Sequence, residues 1–498
     1  MTTLPLPEYD DLDGIGLAEG IAAGDYSPAE VVDAAIARIE ARDPAVHALV
    51  YEQFEEARSS LESLPDGPFR GVPMLLKDLA AEQRGHPSTQ SCRALSTWRA
   101  KADATLVQRF QRAGAVILGR TNTPEFGIMG TTEPLWRGPT HNPWDLERSA
   151  GGSSGGSGAA VAARMVPLAH GGDGGGSIRI PASHNGLFGL KPTSGRNPIG
   201  PWVSRLWGGL VAEHVLTRSV RDSAGMLDAL SGPELGAPLG PLPPARPFLS
   251  EVGTPPGTLR IAWTAGALYG KDTHKECVAA VQDAASLAAA LGHTVEEATP
   301  AVDRQVLVRA YLLEVAAGTA ATLRGIGRKL GRPVRRAEVE APSWLFASIG
   351  EAITAADLEE SRELAHLELR RVAEFFTRYD VLLTPTVADL PVRLGELAVS
   401  AGQQLLIGAL GTLRSRALLL KALDSLAEDS LAKTPNTMLF NQTGQPAMSV
   451  PTWWSEGGLP VGTQWVGRFG DEATLLRLAS QLEDARPWRD RRPALLQG

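Results

Sequence analysis

The chain has 498 residues, 43% of them hydrophobic and 21% charged, which is enough material for a large buried core. Its net charge of −8 argues against a general nucleic-acid binder, which needs a basic face. No uninterrupted run of about 18 apolar residues occurs, so no membrane span is expected.

In chain order, residues 1–14 carry no basic residue and no apolar stretch, which reads as the absence of a signal or transit peptide. Residues 27–42 carry a helix signature. Ser27 caps, Pro28 takes the first position, Glu30 completes a capping box, and Val31, Val32, Ala35, Ile36 and Ile39 share one face. The apolar residues 72–76 predict a buried strand that delivers Lys77 at its end. A helix over 104–114, stopped by Gly114, and a strand over 115–119 continue a layered α/β pattern. Residues 232–256 are rich in proline and glycine and read as a linker. Beyond it a strand over 259–263, a helix over 274–291 and a strand over 293–295 predict a βαβ-like unit. Residues 303–378 read as mostly helical, ending in one long exposed helix over 354–379. Its basic cluster (Arg324, Arg328, Lys329, Arg332, Arg335 and Arg336) reads as a solvated helix face, with an anionic partner surface as the alternative. A strand follows at 381–385, and residues 448–466 alternate strand and turn, with a hairpin at Gly457-Gly458. The only cysteines, Cys92 and Cys277, lie far apart, which suits a reducing compartment and points to the cytoplasm.

Three stretches carry chemistry: residues 71–78, with Lys77 and Asp78; Gly151-Gly152-Ser153-Ser154-Gly155-Gly156-Ser157; and Gly172-Asp173-Gly174-Gly175-Gly176-Ser177-Ile178-Arg179. Serine set among glycines offers a nucleophile beside backbone N–H groups that can approach a developing oxyanion closely, which is what acyl transfer requires. The base is a lysine, since no histidine lies inside these stretches. Residues 151–155 also fit G-x-S-x-G, the nucleophile elbow of α/β-hydrolases, which would make Ser153 the nucleophile of an esterase and require a later acid and a histidine such as His170, His184 or His214. Ser430-Leu431-Ala432-Lys433 matches S-x-x-K but lacks the companion elements. The phosphate-loop-like run from Gly266 to Lys271 has the wrong spacing, with Asp272 where Ser or Thr belongs.

In order and context the three stretches resemble the amidase signature family. The likeness continues through residues 119–126, Asn142-Pro143, 189–193, 217–222, 441–446 and 459–462, covering the chain from about residue 15 onward. The resemblance implies an α/β fold with a large mixed, twisted sheet sandwiched between helices. It further implies a single domain over 1–498, with its signature core at 65–230 and a helical substrate cap at 303–378. It assigns Ser177 as nucleophile, Ser153, held after a cis peptide, as proton bridge, and Lys77 as general base. The N–H groups of Gly174, Gly175, Gly176 and Ser177 would form the oxyanion hole, with Ser154 in support. Asp173 and Arg179 either fix the loop or form a surface ion pair. Many members carry a bulkier residue at Gly174, so a looser cradle or a wider pocket is expected here. The implied reaction is hydrolysis of a small-molecule amide without cofactor or metal, and without nucleic-acid or membrane partners; a homodimer is a candidate assembly. Within the family the glycine runs look most like broad bacterial amidases acting on nylon oligomers (6-aminohexanoate cyclic dimer) or aryl amides. Trp202 and Trp207, with Trp136 and Trp144, are candidates to line an apolar acyl pocket, and Asn441 is a candidate substrate contact. An amidotransferase A-like subunit that needs partner subunits is the alternative inside the family.

A free lysine, with pKa about 10.4, is neutral about once in 2,500 molecules at pH 7. Bringing it to about 7–8 takes roughly 4 kcal/mol, which burial supplies. Leu75, Leu76 and Leu79 are placed to desolvate Lys77, whereas Asp78 would oppose the shift if it faced the amine.

Overall fold

A computed structural model describes residues 4–238, 240–269, 272–413, 415–429 and 433–496. Residues 1–3, Ser430, Leu431 and Ala432 of the S-x-x-K match, and Gly270 and Lys271 of the phosphate-loop-like run lie outside them.

The described strands are β1 (Leu49–Glu52), β2 (Pro73–Lys77), β3 (Val116–Thr121), β4 (His141–Asn142), β5 (Asp145–Ser149), β6 (Leu168–Asp173), β7 (Phe188–Lys191), β8 (Ala212–Thr217), β9 (Arg260–Trp263), β10 (Thr294–Glu297), β11 (Val381–Pro385), β12 (Ala447–Trp454) and β13 (Pro460–Val466). Apart from the β4–β5 hairpin they form one 11-stranded sheet, ordered β1-β3-β2-β6-β8-β7-β12-β13-β11-β9-β10. The β3-β2-β6 and β11-β9-β10 ladders are parallel, and the middle is antiparallel. The expected βαβ unit is β9, the helix Lys275–Ala290 and β10, and the hairpin at Gly457-Gly458 joins β12 to β13.

Helices cover both faces, so β2, β3, β6, β7, β8 and β11 are buried along their whole length. In β2, the first half of β3 and β11 this burial shows as continuous apolar runs rather than as alternation. The helix Pro28–Val46 keeps the expected capping box but runs past residue 42 through Pro44, which sits in its last turn, where the lost N–H costs one bond at a solvated end. The proline-rich segment 232–256 leads from the β6-β8-β7 region to β9 of the same sheet, so it joins two parts of one sheet.

The helical region consists of Arg304–Leu330, Ala341–Ala352 and Ala355–Arg378. By length and composition Arg304–Leu330 is long and apolar enough to cross a membrane, which its interruption by Arg309 and Glu314 hides in the sequence. Half of its most apolar window is buried, where it packs against the other two helices. The basic cluster is largely neutralised on the protein itself: Arg324 pairs with Glu351, Lys329 with Glu82, and Arg332 and Arg335 with Glu338.

The C-terminal helix Glu472–Ala485 is tied to the loop after β7 by a buried ion pair. Arg196 donates from Nε and Nη2 to the two Glu472 oxygens at 2.9 and 2.8 Å, and Thr193 N–H adds a bond at 2.9 Å. Arg196→Ala leaves the Glu472 charge buried without a cation. The expected loss is about 3–5 kcal/mol in denaturant unfolding; a loss under about 1 kcal/mol, the range of solvated surface pairs, would contradict the burial of this pair.

Candidate active site

Lys77 ends β2 in the middle of the parallel ladder and is 1% exposed. Its Nζ donates to Ser153 Oγ at 2.7 Å and to the Gly172 carbonyl at 3.3 Å. Ser153 lies just before the helix Gly155–Ala162, and the Gly152–Ser153 peptide is cis. Ser177 lies in the loop between β6 and the helix Arg179–Asn185. Ser154 brings the two segments together: its N–H donates to the Ser177 carbonyl and its Oγ to the Gly172 carbonyl, each at 3.3 Å. No hydrogen bond links Ser153 Oγ to Ser177 Oγ among the described residues; Ser177 is half-buried and its side chain lines the pocket. Burial pushes the Lys77 amine down to about 8, against the opposing charges of Glu213 and Asp173. Asp78 is turned away from the amine. It accepts from the N–H of Thr89 at 2.9 Å and from the Thr89 hydroxyl, and the charge of Arg120 acts in its favour.

The nucleophile loop is held from below. Arg179 and Asp173 are both fully buried and form a two-pronged pair, Nε–Oδ2 at 2.9 Å and Nη2–Oδ1 at 2.8 Å, which excludes the surface-pair alternative. Arg179 Nη1 also donates to the Thr437 carbonyl and to Gln464 Oε1, and Nη2 to Asn441 Oδ1. Burial disfavours the Asp173 charge, but Arg179, Lys191 and Asn441 outweigh it and hold the carboxyl well below the usual range. Two expectations need correction. Asn441 does not face the pocket: it is 1% exposed, and its amide is engaged by Asp173, Arg179 and the Leu210 carbonyl. Gly176 does not offer a free N–H to an oxyanion, because it donates to Asp173 Oδ1 at 2.8 Å, with φ of 128°. The N–H groups of Gly174, Gly175 and Ser177 make no hydrogen bond among the described residues.

Lys77, Ser153 and Ser177 open into a cavity of about 640 Å³ whose apolar walls include Phe126, Trp202, Trp207 and Ile326, with Arg328 and Lys329 among its polar lining. Trp136 and Trp144 are not in its wall; Trp144 packs against Trp454. Trp207 adopts a left-handed conformation, φ 48°, and is wedged between two glycines. A Cβ on Gly174 would lie 2.9 Å from its ring, and one on Gly318 only 2.4 Å away. The bare Gly174 therefore does not widen the pocket, because the Trp207 indole occupies the space a side chain would take.

A family model described as Amidase matches residues 30–476. This chain belongs to the amidase family. The amidase is 41% identical over 494 residues, 97% of each chain, to a 6-aminohexanoate-cyclic-dimer hydrolase of Pseudomonas sp. strain NK87. Among solved structures it matches a 6-aminohexanoate cyclic dimer hydrolase complexed with substrate, with a TM-score of 0.89, 37% identity and coverage of 97% of this chain and 99% of that one. A bacterial aryl acylamidase matches with a TM-score of 0.85, 30% identity and 96% coverage of both chains. The mixed sheet between helices is the amidase signature fold, which replaces the α/β-hydrolase reading of Ser153. No histidine hydrogen-bonds Ser153 or Ser177 among the described residues.

The sequence reading put a substrate cap at 303–378 but named no residue in it that faces the site; Arg304–Leu330 lines the pocket through Gly318, Ala321, Thr322 and Gly325. The signal was present as small residues at helical spacing. The sequence reading also missed Glu213 and His170 beside Lys77, although a glutamate inside the wholly buried β8 was itself a flag. In this amidase, Gly174→Ala should drive Trp207 into the pocket and lower kcat/KM on bulky amides by about 10²-fold, the order a misplacement of about 1 Å at a site costs in rate. Trp207→Ala added to it should recover most of that loss. Kinetics of the two single variants and the double variant test this, and strict additivity would show that the two residues do not meet.

Proposed function

We propose that this amidase hydrolyses apolar amides through an acyl-enzyme on Ser177. Neutral Lys77 takes the Ser153 hydroxyl proton, Ser153 takes the Ser177 proton, and Ser177 Oγ bonds to the amide carbon. The N–H groups of Gly174, Gly175 and Ser177 receive the developing oxyanion. The proton held on Lys77 returns through Ser153 to the leaving nitrogen as the C–N bond breaks, and water then cleaves the ester by the same route. The observation that carries this reading is the buried amine 2.7 Å from Ser153 Oγ, in the cavity that Ser177 also lines.

For the substrate, we propose cyclic 6-aminohexanoate dimer-type and aryl amides. The names of the similar proteins support this choice, as do the size of the cavity and its apolar walls. The helical region 303–378 acts as the substrate cap, through the pocket-facing side of Arg304–Leu330. The buried thiols of Cys92 and Cys277 suit work in the cytoplasm.

The test is a panel of cyclic, aryl, fatty and peptide amides assayed with the wild type and serine variants. Ser177→Ala should lower kcat by about 10⁴-fold or more. Full activity in Ser177→Ala with none in Ser153→Ala would overturn the assignment, and glutaminase activity seen only with added subunits would favour an amidotransferase. A neutral Lys77 is required for attack, so with its pKa at about 8 the rate should rise about tenfold per pH unit below 8 and level off above it. A flat profile from about pH 6 to 9 would exclude Lys77 as the base.

A further inference from the structure

Behind Lys77 lies a chain of buried polar groups that the scheme above does not use. The Lys77 backbone N–H donates to His170 Nδ1 at 3.3 Å, and His170 Nε2 lies 2.8 Å from Glu213 Oε2. Both side chains are buried, and the imidazole packs edge-on against Phe110. A backbone N–H can only donate, so Nδ1 has to be the bare nitrogen and the one ring proton sits on Nε2, pointing at the carboxylate. A doubly protonated ring would aim a second proton at the Lys77 N–H. The ring thus presents a proton to the Glu213 carboxylate, and among the described residues no lysine or arginine forms an ion pair with that carboxylate.

Glu213 stands opposite Gly172 in the β6–β8 register, and the Gly172 carbonyl is the one that accepts from Lys77 Nζ. A Cβ on Gly172 would lie 2.6 and 2.7 Å from the two carboxylate oxygens, so the carboxylate rests on the bare Cα of that glycine. The other charged groups around the amine are otherwise engaged. Asp173 on β6 is neutralised by Arg179, and Asp78 after β2 turns to Thr89 and Arg120. Among the charges acting on the Lys77 amine against its desolvation, that of Glu213 is the largest.

We propose that Glu213, oriented by His170, is the counter-charge of Lys77: a positioning residue whose charge, set across Gly172 from the amine, stabilises the ammonium each time the base takes a proton and sets the pH at which the amine is free. This rests on the reading of Lys77 as general base. It also assigns a purpose to the bare Gly172, on whose Cα the carboxylate rests, beside the carbonyl that accepts from the amine.

The test is the pH dependence of kcat/KM on one amide substrate for the wild type, Glu213→Gln, Glu213→Asp and His170→Gln, with thermal melting as the check on folding. Glutamine keeps the shape and the acceptor for His170 but removes the charge that favours the ammonium. The acid limb of Glu213→Gln should therefore move down by about one pH unit, and its plateau rate should fall. Glu213→Asp, which keeps the charge and withdraws it by a methylene, should shift the limb less in the same direction; if Glu213→Gln fails to fold, this variant carries the test. His170→Gln still donates to Glu213 and is neutral at every pH, so its limb should stay in place. An unmoved midpoint in a folded Glu213→Gln or Glu213→Asp would overturn the proposal, and so would a displaced limb in His170→Gln, since His170 would then titrate itself. A wild type without any acid limb would instead remove Lys77 as base, which keeps the two failures distinct.

Discussion

The site depends on one buried ion pair, Asp173 with Arg179. Two charges with no exposure carry a desolvation cost that is recovered only when nearly every donor and acceptor finds a partner. Here they do. The guanidinium bonds to Asp173, Thr437, Gln464 and Asn441, and the carboxylate accepts from Gly176 and Ile178 as well as from the arginine. The loop wrapped round this pair has little freedom left. It leaves the N–H groups of Gly174, Gly175 and Ser177 without a hydrogen bond among the described residues, and the left-handed position in the loop, φ 128°, is taken by Gly176.

Around this fixed loop the amidase sets opposing influences on Lys77. The apolar interior of the sheet pushes the amine towards neutrality, while Glu213 and Asp173 pull it back. Desolvation wins, but only to about 8, so the group stays close to working pH and can both take and return a proton. The pocket above is built from other parts of the chain: the loop carrying Trp202 and Trp207, and the small-residue side of Arg304–Leu330. Chemistry sits at the end of the parallel strands and recognition sits on the helical side. The Trp207 wedge is where the two meet.

Much of this was legible in the sequence. The strand that delivers Lys77, the helix capped by Ser27, the βαβ unit and the final hairpin all follow from local periodicity and turn chemistry. The proximity of residues 77, 153 and 177 rested on a resemblance, because no local rule brings a strand end to two loops about a hundred residues away. The errors have one origin. Asn441 read as a ligand contact, Gly176 as a free donor and Gly174 as empty space, and each role was decided by a partner that composition does not name: Arg179 far along the chain, Asp173 three residues back, and Trp207. Glycine announces that something comes close without saying what. The His170–Glu213 pair escaped notice because it depends on strand register between β6 and β8, which hydrophobic pattern alone does not fix.

The anchoring of Arg179 also bears on how the protein is made. The groups that would carry out catalysis all lie before residue 180, yet three of the acceptors of the arginine behind them belong to residues 437, 441 and 464. While the chain emerges from the ribosome, its first half holds the reactive side chains but not the partners that fix them. Until β13 has been synthesised, Arg179 would be a buried cation short of acceptors, so the nucleophile loop cannot settle. A chain that stopped short of β13 would therefore carry Lys77, Ser153 and Ser177 without the Gln464 acceptor that helps to hold Arg179.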